Sequence, residues 1–259
     1  MENKIILITG GSSGIGKAAA IALAKKGATI IIQARNPQKL ADAAKEIESH
    51  STQKAHHYST DLTSIKEVQE YAEKMIKEVG LPDVIINSAG LGNWLPFEDS
   101  DPEHFQQTIQ SPYLVTAYTC KIFHEHMKKR GTGHFITVNS AACYFAFPNA
   151  VGYISARWAL RGFTDALASD LSDTNFKVSA VVLGKVDSPY FTNNPVSEQN
   201  IPKIVGLLNP TLSTEKAGNA IVSVVHSKKK TLIRPWSMSM YVFFNRFIPW
   251  FFKLLMRIK

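Results

Sequence analysis

The stretch Lys4–Gly16, which reads KIILITGGSSGIG, is the part of the sequence that decides the fold. Its apolar run Ile5–Ile8 predicts a buried strand, and the glycines predict a turn directly after that strand. An alanine-rich segment, Lys17–Lys26, predicts a helix that ends at Gly27, a residue type common just past a helix C-terminus. This order brings backbone N–H groups to a helix N-terminus, where a pyrophosphate can bind.

The glycine spacing in this turn is G-x-x-x-G-x-G, which differs from the general dinucleotide pattern G-x-G-x-x-G. Glycines alone are a weak signal, because a purely structural turn needs them too. Their place between a strand and a helix favours phosphate binding, and bulky side chains at Gly14 or Gly16 would hold the phosphates away. The predicted cofactor-binding residues of the turn are Gly10, Ser12, Ser13, Gly14, Ile15 and Gly16.

The alternation of strands and helices continues through the first third of the chain. The predicted segments are strand Thr29–Gln33, helix Gln38–Glu48, strand Ala55–Ser59, helix Ile65–Val79, with Thr63 or Ser64 as its cap, and strand Pro82–Ile86. Such alternation predicts a parallel sheet covered by helices on both faces. A chain of 259 residues with no internal repeat or linker fits one α/β domain.

Composition narrows the classes of function. Two cysteines, Cys120 and Cys143, exclude a disulfide framework and a cysteine-based metal cluster, and the eight histidines show no ligand spacing, so no metal site is expected. The first residues run straight into a predicted strand, which argues against a cleavable signal peptide and for a reducing, cytoplasmic setting.

The net charge of +8 is concentrated at the C-terminus. Beyond Glu215 there are nine Lys or Arg and no acid, whereas residues 1–215 hold 20 basic and 21 acidic groups. A basic tail on a neutral body argues against a nucleic-acid-binding surface and for a local role of the C-terminus.

The end of the second predicted strand bears on the choice of cofactor. NAD-binding sites carry an acid near this point for the ribose 2′-hydroxyl, but here Ala34 takes that position and Arg35 follows it. An arginine can pair with a 2′-phosphate through charge-assisted hydrogen bonds. Arg35 could also be only a solvated loop charge. The absence of an acid at position 34 and the presence of a base at position 35 both favour NADP(H).

A second informative stretch, Phe135–Arg157, combines a predicted strand with three polar residues. Ser140 ends the strand, Tyr153 follows thirteen residues later, and Arg157 lies one helical turn beyond Tyr153. These groups can surround a carbonyl oxygen. The alternative is a strand, a loop and a helix whose polar groups face solvent.

In combination, the motifs resemble the short-chain dehydrogenase/reductase (SDR) family over about residues 4–235. They are Thr9-Gly10-x-x-x-Gly14-x-Gly16, Asp61-Leu62, Asn87-Ser88-Ala89-Gly90, Ser140 with Tyr153, and Leu183-Gly184-Lys185-Val186-Asp187-Ser188 in place of P-G-x-V-x-T. The resemblance implies a single-domain Rossmann fold, an α/β doubly wound parallel sheet of seven strands in the order 3-2-1-4-5-6-7. Residues 236–259 would form a C-terminal amphipathic extension. Members are often dimers or tetramers, so a homodimer or homotetramer is expected.

The resemblance also implies roles for individual residues. Ser140 would bond the substrate oxygen, Tyr153 would give or take the proton, and Arg157 would supply the cation that favours the phenolate form of a tyrosine and binds the nicotinamide ribose. Asp61 would contact the adenine and Ser188 the nicotinamide amide. The other implied cofactor-binding residues are Leu62, Asn87, Ala89, Gly90, Tyr153 and Val186.

Two positions depart from the family pattern. Arg157 stands where the family has the lysine of Y-x-x-x-K, and an arginine is a larger, planar group. The helical asparagine of the family's proton relay falls at Pro112, and a proline can bend the helix. Two hypotheses follow: an NADP(H)-dependent dehydrogenase or reductase, or an NADP(H)-binding sensor or scaffold with little turnover. The intact pair Ser140 and Tyr153 favours the enzyme.

Aromatic residues after the fourth, fifth and sixth strands suggest an apolar, lipid-like carbonyl or alcohol substrate. They are Trp94, Phe97, Tyr144, Phe145, Phe147, Tyr190 and Phe191, of which about half are expected only to cover the core.

The tail adds eight aromatic residues and four cations in residues 236–259. It is too short and too interrupted to span a bilayer. It could be a lid or dimer contact, or an interfacial helix on an anionic membrane, and its basic charge favours the membrane.

Overall fold

The fold is built on a parallel sheet of seven strands. A computed structural model describes residues 1–192, 194, 196–197, 200–201, 210–227 and 229–257. The strands are β1 (Ile5–Thr9), β2 (Thr29–Ala34), β3 (His56–Ser59), β4 (Val84–Asn87), β5 (Thr132–Ser140), β6 (Asn175–Leu183), β7 (Val186–Asp187), β8 (Leu212–Ser213) and β9 (Thr231–Arg234). The main sheet has the order β3-β2-β1-β4-β5-β6-β9, and β7 pairs with β8 outside it. The predicted fold class and strand order are confirmed.

Ten helices within the described residues connect and extend these strands. They are α1 (Gly14–Ala24), α2 (Pro37–Glu48), α3 (Ile65–Glu78), α4 (Pro102–Ile109), α5 (Val115–Met127), α6 (Val151–Asp170), α7 (Pro189–Thr192), α8 (Thr214–His226), α9 (Trp236–Asn245) and α10 (Pro249–Leu255).

The core lies on both faces of the sheet, which explains why the central strands β1, β2 and β4 carry near-continuous apolar runs rather than alternating ones. On one face Ile6, Ile8 and neighbouring strand residues pack against α1, α2 and α8. On the other face Leu7, Ile85 and Phe135 pack against α3 and α5. The sheet is therefore doubly wound, and its carboxyl edge is left to the loops.

Local sequence signals place several helix ends. Asn36 caps α2 by accepting a hydrogen bond from the Lys39 N–H at 2.9 Å. Of the two candidates for the α3 cap, Ser64 accepts from the Glu67 N–H at 3.3 Å, whereas the Thr63 hydroxyl bonds elsewhere. Each cap satisfies one of the N–H groups that a helix start leaves without a backbone partner.

The segment between α4 and α5 is bent around Pro112. Residues Gln110–Leu114 form one wide helical turn, within which Ser111 has an extended backbone (φ −130°, ψ 115°). A residue before proline is sterically driven out of the helical conformation. The helix is thus interrupted beside the sheet edge, and the Ser111 hydroxyl is turned to accept the Leu91 N–H at 3.3 Å.

Candidate active site

The loops at the carboxyl edge of the sheet enclose one cleft of about 560 Å³. It brings together sixteen of the predicted residues: Gly10, Ser12, Ser13, Gly14, Ile15, Gly16, Arg35, Asp61, Leu62, Ala89, Gly90, Ser140, Tyr153, Arg157, Val186 and Ser188. These residues come from all parts of the chain, so the cleft is the structure's candidate for the cofactor and substrate site.

The glycine turn closes against the loop after β4. Gly10 has φ +67°, and a Cβ at this position would lie 2.9 Å from the backbone of Ala89. The Thr9 hydroxyl oxygen accepts the N–H groups of Ser88 and Ala89, both at 3.2 Å. The two loops that form the floor of the cleft are therefore fixed to each other.

Gly14 and Gly16 serve different purposes. Gly14 has φ +54°, and a Cβ there would meet nothing closer than 3.8 Å, so the space above it is open. A Cβ on Gly16 would lie 2.4 Å from the Gly10 carbonyl oxygen. Gly16 is thus required for packing of α1 on its own turn. That a bulky side chain at Gly16 would also hold the phosphates away stays a prediction.

The N-terminus of α1 fits an anionic group. Ser13 occupies the cap position but makes no side-chain hydrogen bond to the first turn. The first N–H groups of a helix have no partners within the helix, and its dipole favours negative charge there. The start of α1, which faces the cleft, therefore matches the pyrophosphate of a dinucleotide.

Two cations lie at the end of the cleft beyond β2. Arg35 is exposed after the strand, and Lys39 in the first turn of α2 lines the same cleft. Neither has an ion-pair partner among the residues the structure describes. Lys39 is not among the residues predicted from the sequence. Its position four residues after Arg35, at a capped helix start, is the signal that could have identified it.

Asp61 is held in a fixed turn at the same end. Its Oδ1 accepts the Thr63 N–H at 3.0 Å and the Thr63 hydroxyl at 2.9 Å. Its own N–H donates to Glu67 Oε2 at 3.1 Å. The carboxylate thus orders the loop in which it lies, and Asp61 and Leu62 both line the cleft.

Asn87 is the one predicted site residue that does not line the cleft. Its side chain is buried at the end of β4, where Nδ2 lies 3.5 Å from Cys120 Sγ on α5. Its Oδ1 has no hydrogen-bond partner within the described part of the chain. Burial raises the pKa of Cys120 to about 12, so this thiol stays protonated at neutral pH.

Asn139 connects the strand and the helix that carry the predicted catalytic groups. Its Oδ1 accepts the Ser140 N–H at 2.8 Å, and its Nδ2 donates to the Arg157 carbonyl oxygen at 3.0 Å. The Ser140 hydroxyl oxygen accepts the Ala142 N–H at 3.2 Å. Asn139 is buried and was not predicted as a site residue, yet it fixes β5 relative to α6.

Arg157 lies between Tyr153 and Gly90. Only 8% of the residue is exposed, and its guanidinium carbon is 4.9 Å from the centre of the Tyr153 ring. A Cβ on Gly90 would come within 2.9 Å of Arg157 Nη2, so glycine is what allows the guanidinium to lie there. Its Nε is buried without a hydrogen-bond partner in the described residues. The positive charge is held against the face of the tyrosine ring.

Aromatic side chains form the wall beside Tyr153. The Trp94 ring lies 5.1 Å from the Tyr153 ring, and its Nε1 donates to the Tyr190 hydroxyl at 3.1 Å. The Tyr190 hydroxyl in turn donates to the Gly92 carbonyl oxygen. Burial raises the pKa of Tyr190 well above its usual range, so the group remains a neutral donor.

Five of the seven predicted aromatic residues line the cleft: Trp94, Phe145, Phe147, Tyr190 and Phe191. The other two do not. Phe97 is 76% exposed and packs on Phe105, and Tyr144 stacks under Arg161 at 4.1 Å. Cys143 is buried, which raises its pKa to about 12, so this thiol stays protonated at neutral pH.

The C-terminal helices also contribute to the lining of the cleft. Residues of α9, α10 and the turn after α10 line the cleft: Met238, Tyr241, Phe252, Leu255 and Met256. Phe145 and Ala141 pack against Met238, Val242 and Phe252. The segment is divided into two helices, because Pro249 starts α10 after an irregular residue, Ile248.

Comparison with known proteins identifies the family. A model of the short chain dehydrogenases matches residues 4–199. The chain belongs to the short-chain dehydrogenase/reductase family. The family works with a nicotinamide cofactor, and the glycine turn, the start of α1 and the Tyr153–Arg157 pair fit such a group.

Relatives of this SDR chain differ in length. It is 31% identical over 224 residues to the 3-ketodihydrosphingosine reductase of Bos taurus, covering 85% of this chain and 67% of the relative. It is 28% identical over 258 residues to the probable oxidoreductase EphD of Mycobacterium tuberculosis, covering 95% of this chain and 43% of that protein. The chain thus spans less than half the length of the mycobacterial relative.

Solved structures agree with the fold. An alcohol dehydrogenase from the archaeon Thermococcus sibiricus, complexed with 5-hydroxy-NADP, superposes with a TM-score of 0.76 at 25% identity. The match covers 89% of this SDR chain and 95% of the archaeal chain.

Proposed function

We propose that this SDR protein catalyses NADP(H)-dependent hydride transfer between the nicotinamide and the carbonyl or alcohol group of an apolar, lipid-like substrate. The observation that carries the proposal is the meeting of Ser140, Tyr153 and Arg157 at one cleft, with an aromatic wall beside them. When bound, the nicotinamide supplies or accepts the hydride. The chain's own residues handle the oxygen and the proton.

Ser140 is placed to donate its hydroxyl proton to the substrate oxygen, since its Oγ already accepts the Ala142 N–H and keeps its own hydrogen free to point elsewhere. Tyr153 then gives its proton to that oxygen during reduction, or takes it during oxidation. The Arg157 guanidinium beneath the ring stabilises negative charge that develops on the Tyr153 oxygen.

Preference for NADP(H) over NAD(H) rests on Arg35 and Lys39. Both line the cleft beyond β2, and Ala34 takes the place of the acid that would bind a ribose 2′-hydroxyl. Cationic side chains in this position favour a 2′-phosphate through charge-assisted hydrogen bonds. The archaeal relative complexed with 5-hydroxy-NADP is in line with this preference.

An apolar substrate is supported by the lining of the cleft. The cleft is lined by aromatic residues that follow β4 and β5 and by apolar residues of α9 and α10, and Phe145 packs directly against Phe252. Such a lining favours hydrocarbon over hydroxyl-rich sugars, because unpaired polar groups are costly to bury. The bovine relative, named as a reductase of a 3-keto compound, 3-ketodihydrosphingosine, points the same way.

The test is NADPH consumption by the purified protein with a panel of long-chain ketones, short-chain ketones and a ketose sugar. We expect turnover to rise with chain length and Tyr153→Phe to lose it by roughly 100-fold or more while NADPH still binds. Tyr144→Phe, which removes a hydroxyl outside the cleft, is the matched control and should behave as wild type. Tight NADPH binding without turnover across the panel would instead support the sensor or scaffold.

A further inference from the structure

The C-terminal helices have two apolar faces, of which only one is used by the domain. Met238 and Val242 of α9 and Phe252 of α10 are buried against Phe145. This inner face accounts for the packing of the segment and for its part in the cleft. It leaves the outer face unexplained.

The outer face exposes large apolar side chains to solvent. Along α9 the exposed positions 236, 240 and 243 recur at helical spacing, opposite the buried pair Met238 and Val242, and exposed Phe247 follows just beyond the helix. Trp236, Phe247 and Trp250 are 69%, 69% and 68% exposed. The outer face consists of Trp236, Met240, Phe243, Phe244, Phe247, Ile248, Trp250, Phe251 and Leu254. Apolar side chains clustered on two consecutive helices mark an interaction site rather than ordinary surface.

The charge around the outer face has one sign. Arg246, Lys253 and Arg257 are exposed between and beside these aromatic residues. The sequence has no Asp or Glu after Glu215. A surface that exposes Trp and Phe within a purely basic setting complements an anionic layer with an apolar interior.

The lengths of α9 and α10 determine whether these helices could cross a lipid layer or lie along its surface. α9 has 10 residues and α10 has 7, far fewer than a bilayer crossing requires. Among the described residues no helix is long and apolar enough to cross a membrane. Two short helices with one exposed apolar face suit a position in the plane of the interface, where Trp and Phe rings are favoured.

We propose that the outer face of α9–α10 docks on an anionic lipid surface. The same helices then have the bilayer on one side and the cleft on the other, through Met238, Tyr241 and Phe252. Docking does not depend on catalysis, so it is measured on the protein without substrate. A basic protein partner would lack this complementarity, and a second copy of the chain would bring like charges together.

The test is flotation of the full chain with phosphatidylcholine vesicles that contain or lack phosphatidylglycerol. We expect wild type to float with the anionic vesicles and to be released as salt is raised. The double variant Phe247→Ser, Trp250→Ser should lose at least tenfold in vesicle affinity, because both rings are mostly exposed and, among the described aromatic residues, contact only the exposed rings of Phe243 and Phe251. Phe97→Ser, which removes an exposed ring far from the tail in sequence, is the matched control and should float as wild type does.

A second double variant tests the contribution of the basic residues to vesicle binding. Arg246→Glu with Lys253→Glu should lower affinity for anionic vesicles by roughly tenfold or more, since each cation near such a surface is attracted to it and each introduced carboxylate is repelled. Lys74→Glu, an exposed change on α3, should have little effect. Equal flotation of wild type and both double variants would overturn the proposal. So would a stable wild-type dimer, seen by sedimentation, that the Phe247→Ser, Trp250→Ser change converts to monomers and that does not float.

Discussion

The guanidinium carbon of Arg157 lies 4.9 Å from the centre of the Tyr153 ring, one turn further along α6. Gly90 lies next to the guanidinium, and it leaves room for Arg157 Nη2 because it has no Cβ. Arg157, which stands where the family pattern has a lysine, thus keeps a positive charge beside Tyr153, the proposed proton donor, while lying against its ring. Compared with the lysine of the family pattern, Arg157 keeps the positive charge but not the shape of the side chain.

Two substitutions of Arg157 test separately whether its charge or its shape matters for turnover. We expect Arg157→Met to lower kcat by about 100-fold, because the charge that stabilises the developing phenolate is removed. Arg157→Lys should stay within roughly tenfold of wild type, since it keeps the charge and removes the unpartnered Nε. Steady-state kinetics with NADPH measures both, and circular dichroism checks the fold. A fall in the lysine variant equal to that of the methionine variant would contradict the importance of charge.

Removal of the two cations beyond β2 should change cofactor preference. In the variant Arg35→Ala, Lys39→Ala we expect the Kd for NADPH to rise by about 100-fold, because each charge-assisted hydrogen bond contributes roughly 1.5–3 kcal/mol. The Kd for NADH should change less than threefold or so. Cofactor fluorescence titration gives both values. Lys45→Ala on the exposed side of α2 is the control, and parallel weakening of both cofactors would argue against a 2′-phosphate contact.

Gly16 and Gly162 provide a matched pair for the packing of the glycine turn. A Cβ on Gly16 would lie 2.4 Å from the Gly10 carbonyl oxygen, whereas a Cβ on Gly162 meets nothing within 4 Å. We expect Gly16→Ala to reduce the free energy of unfolding by about 2 kcal/mol or more, through displacement of backbone. Gly162→Ala, in an exposed helix interior, should raise it by up to about 1 kcal/mol. Urea unfolding measures the difference, and equal effects would refute the steric account.

Buried His134 should make stability depend on pH. Its Nε2 lies 3.0 Å from the Ser179 hydroxyl, and burial lowers the pKa of His134 to about 4 from 6.5. Above pH ~6.5 neither the folded nor the unfolded state binds this proton. Between pH ~6.5 and ~4 the unfolded state takes it up and the folded state does not, so the free energy of unfolding falls. The loss is on the order of 3 kcal/mol at the lower end.

Urea unfolding of wild type and His134→Gln across this pH range isolates the effect. The wild-type curve should fall more steeply with decreasing pH than that of the variant. His50→Gln, a change at an exposed histidine, should follow the wild-type curve. Parallel curves for wild type and His134→Gln would show that this histidine does not carry the dependence.

The sheet could be predicted because its signals are local. Each central strand is a short apolar run, and parallel strands with helices on both faces admit few arrangements. The first helix starts at Gly14 rather than Lys17, because contact of the turn with Gly10 overrides the low helix propensity of glycine. No pattern in the sequence shows such an override.

The site was predictable where residues follow a strand and less so where contacts are distant. Ser140, Tyr153 and Arg157 meet as the spacing suggests. The packing of Phe145 against Phe252 joins residues more than a hundred positions apart, and no local pattern indicates it. The same holds for Asn139, whose amide joins two elements, and for Asn87, whose side chain is turned to α5.

The floor of the cleft is more rigid than the wall formed by α9 and α10. On the floor, the Thr9 hydroxyl oxygen accepts the N–H groups of Ser88 and Ala89 and so fixes two loops to each other. Residues on the floor are locked together by backbone contacts and leave little room for change. The wall formed by α9 and α10 is joined to the rest by side-chain packing and by a hydrogen bond from Asn245 Nδ2 to the Tyr144 carbonyl oxygen at 3.4 Å. Exchange of this terminal segment between relatives would therefore be an economical route to new substrates, with the hydride-transfer machinery of the proposed reaction left intact.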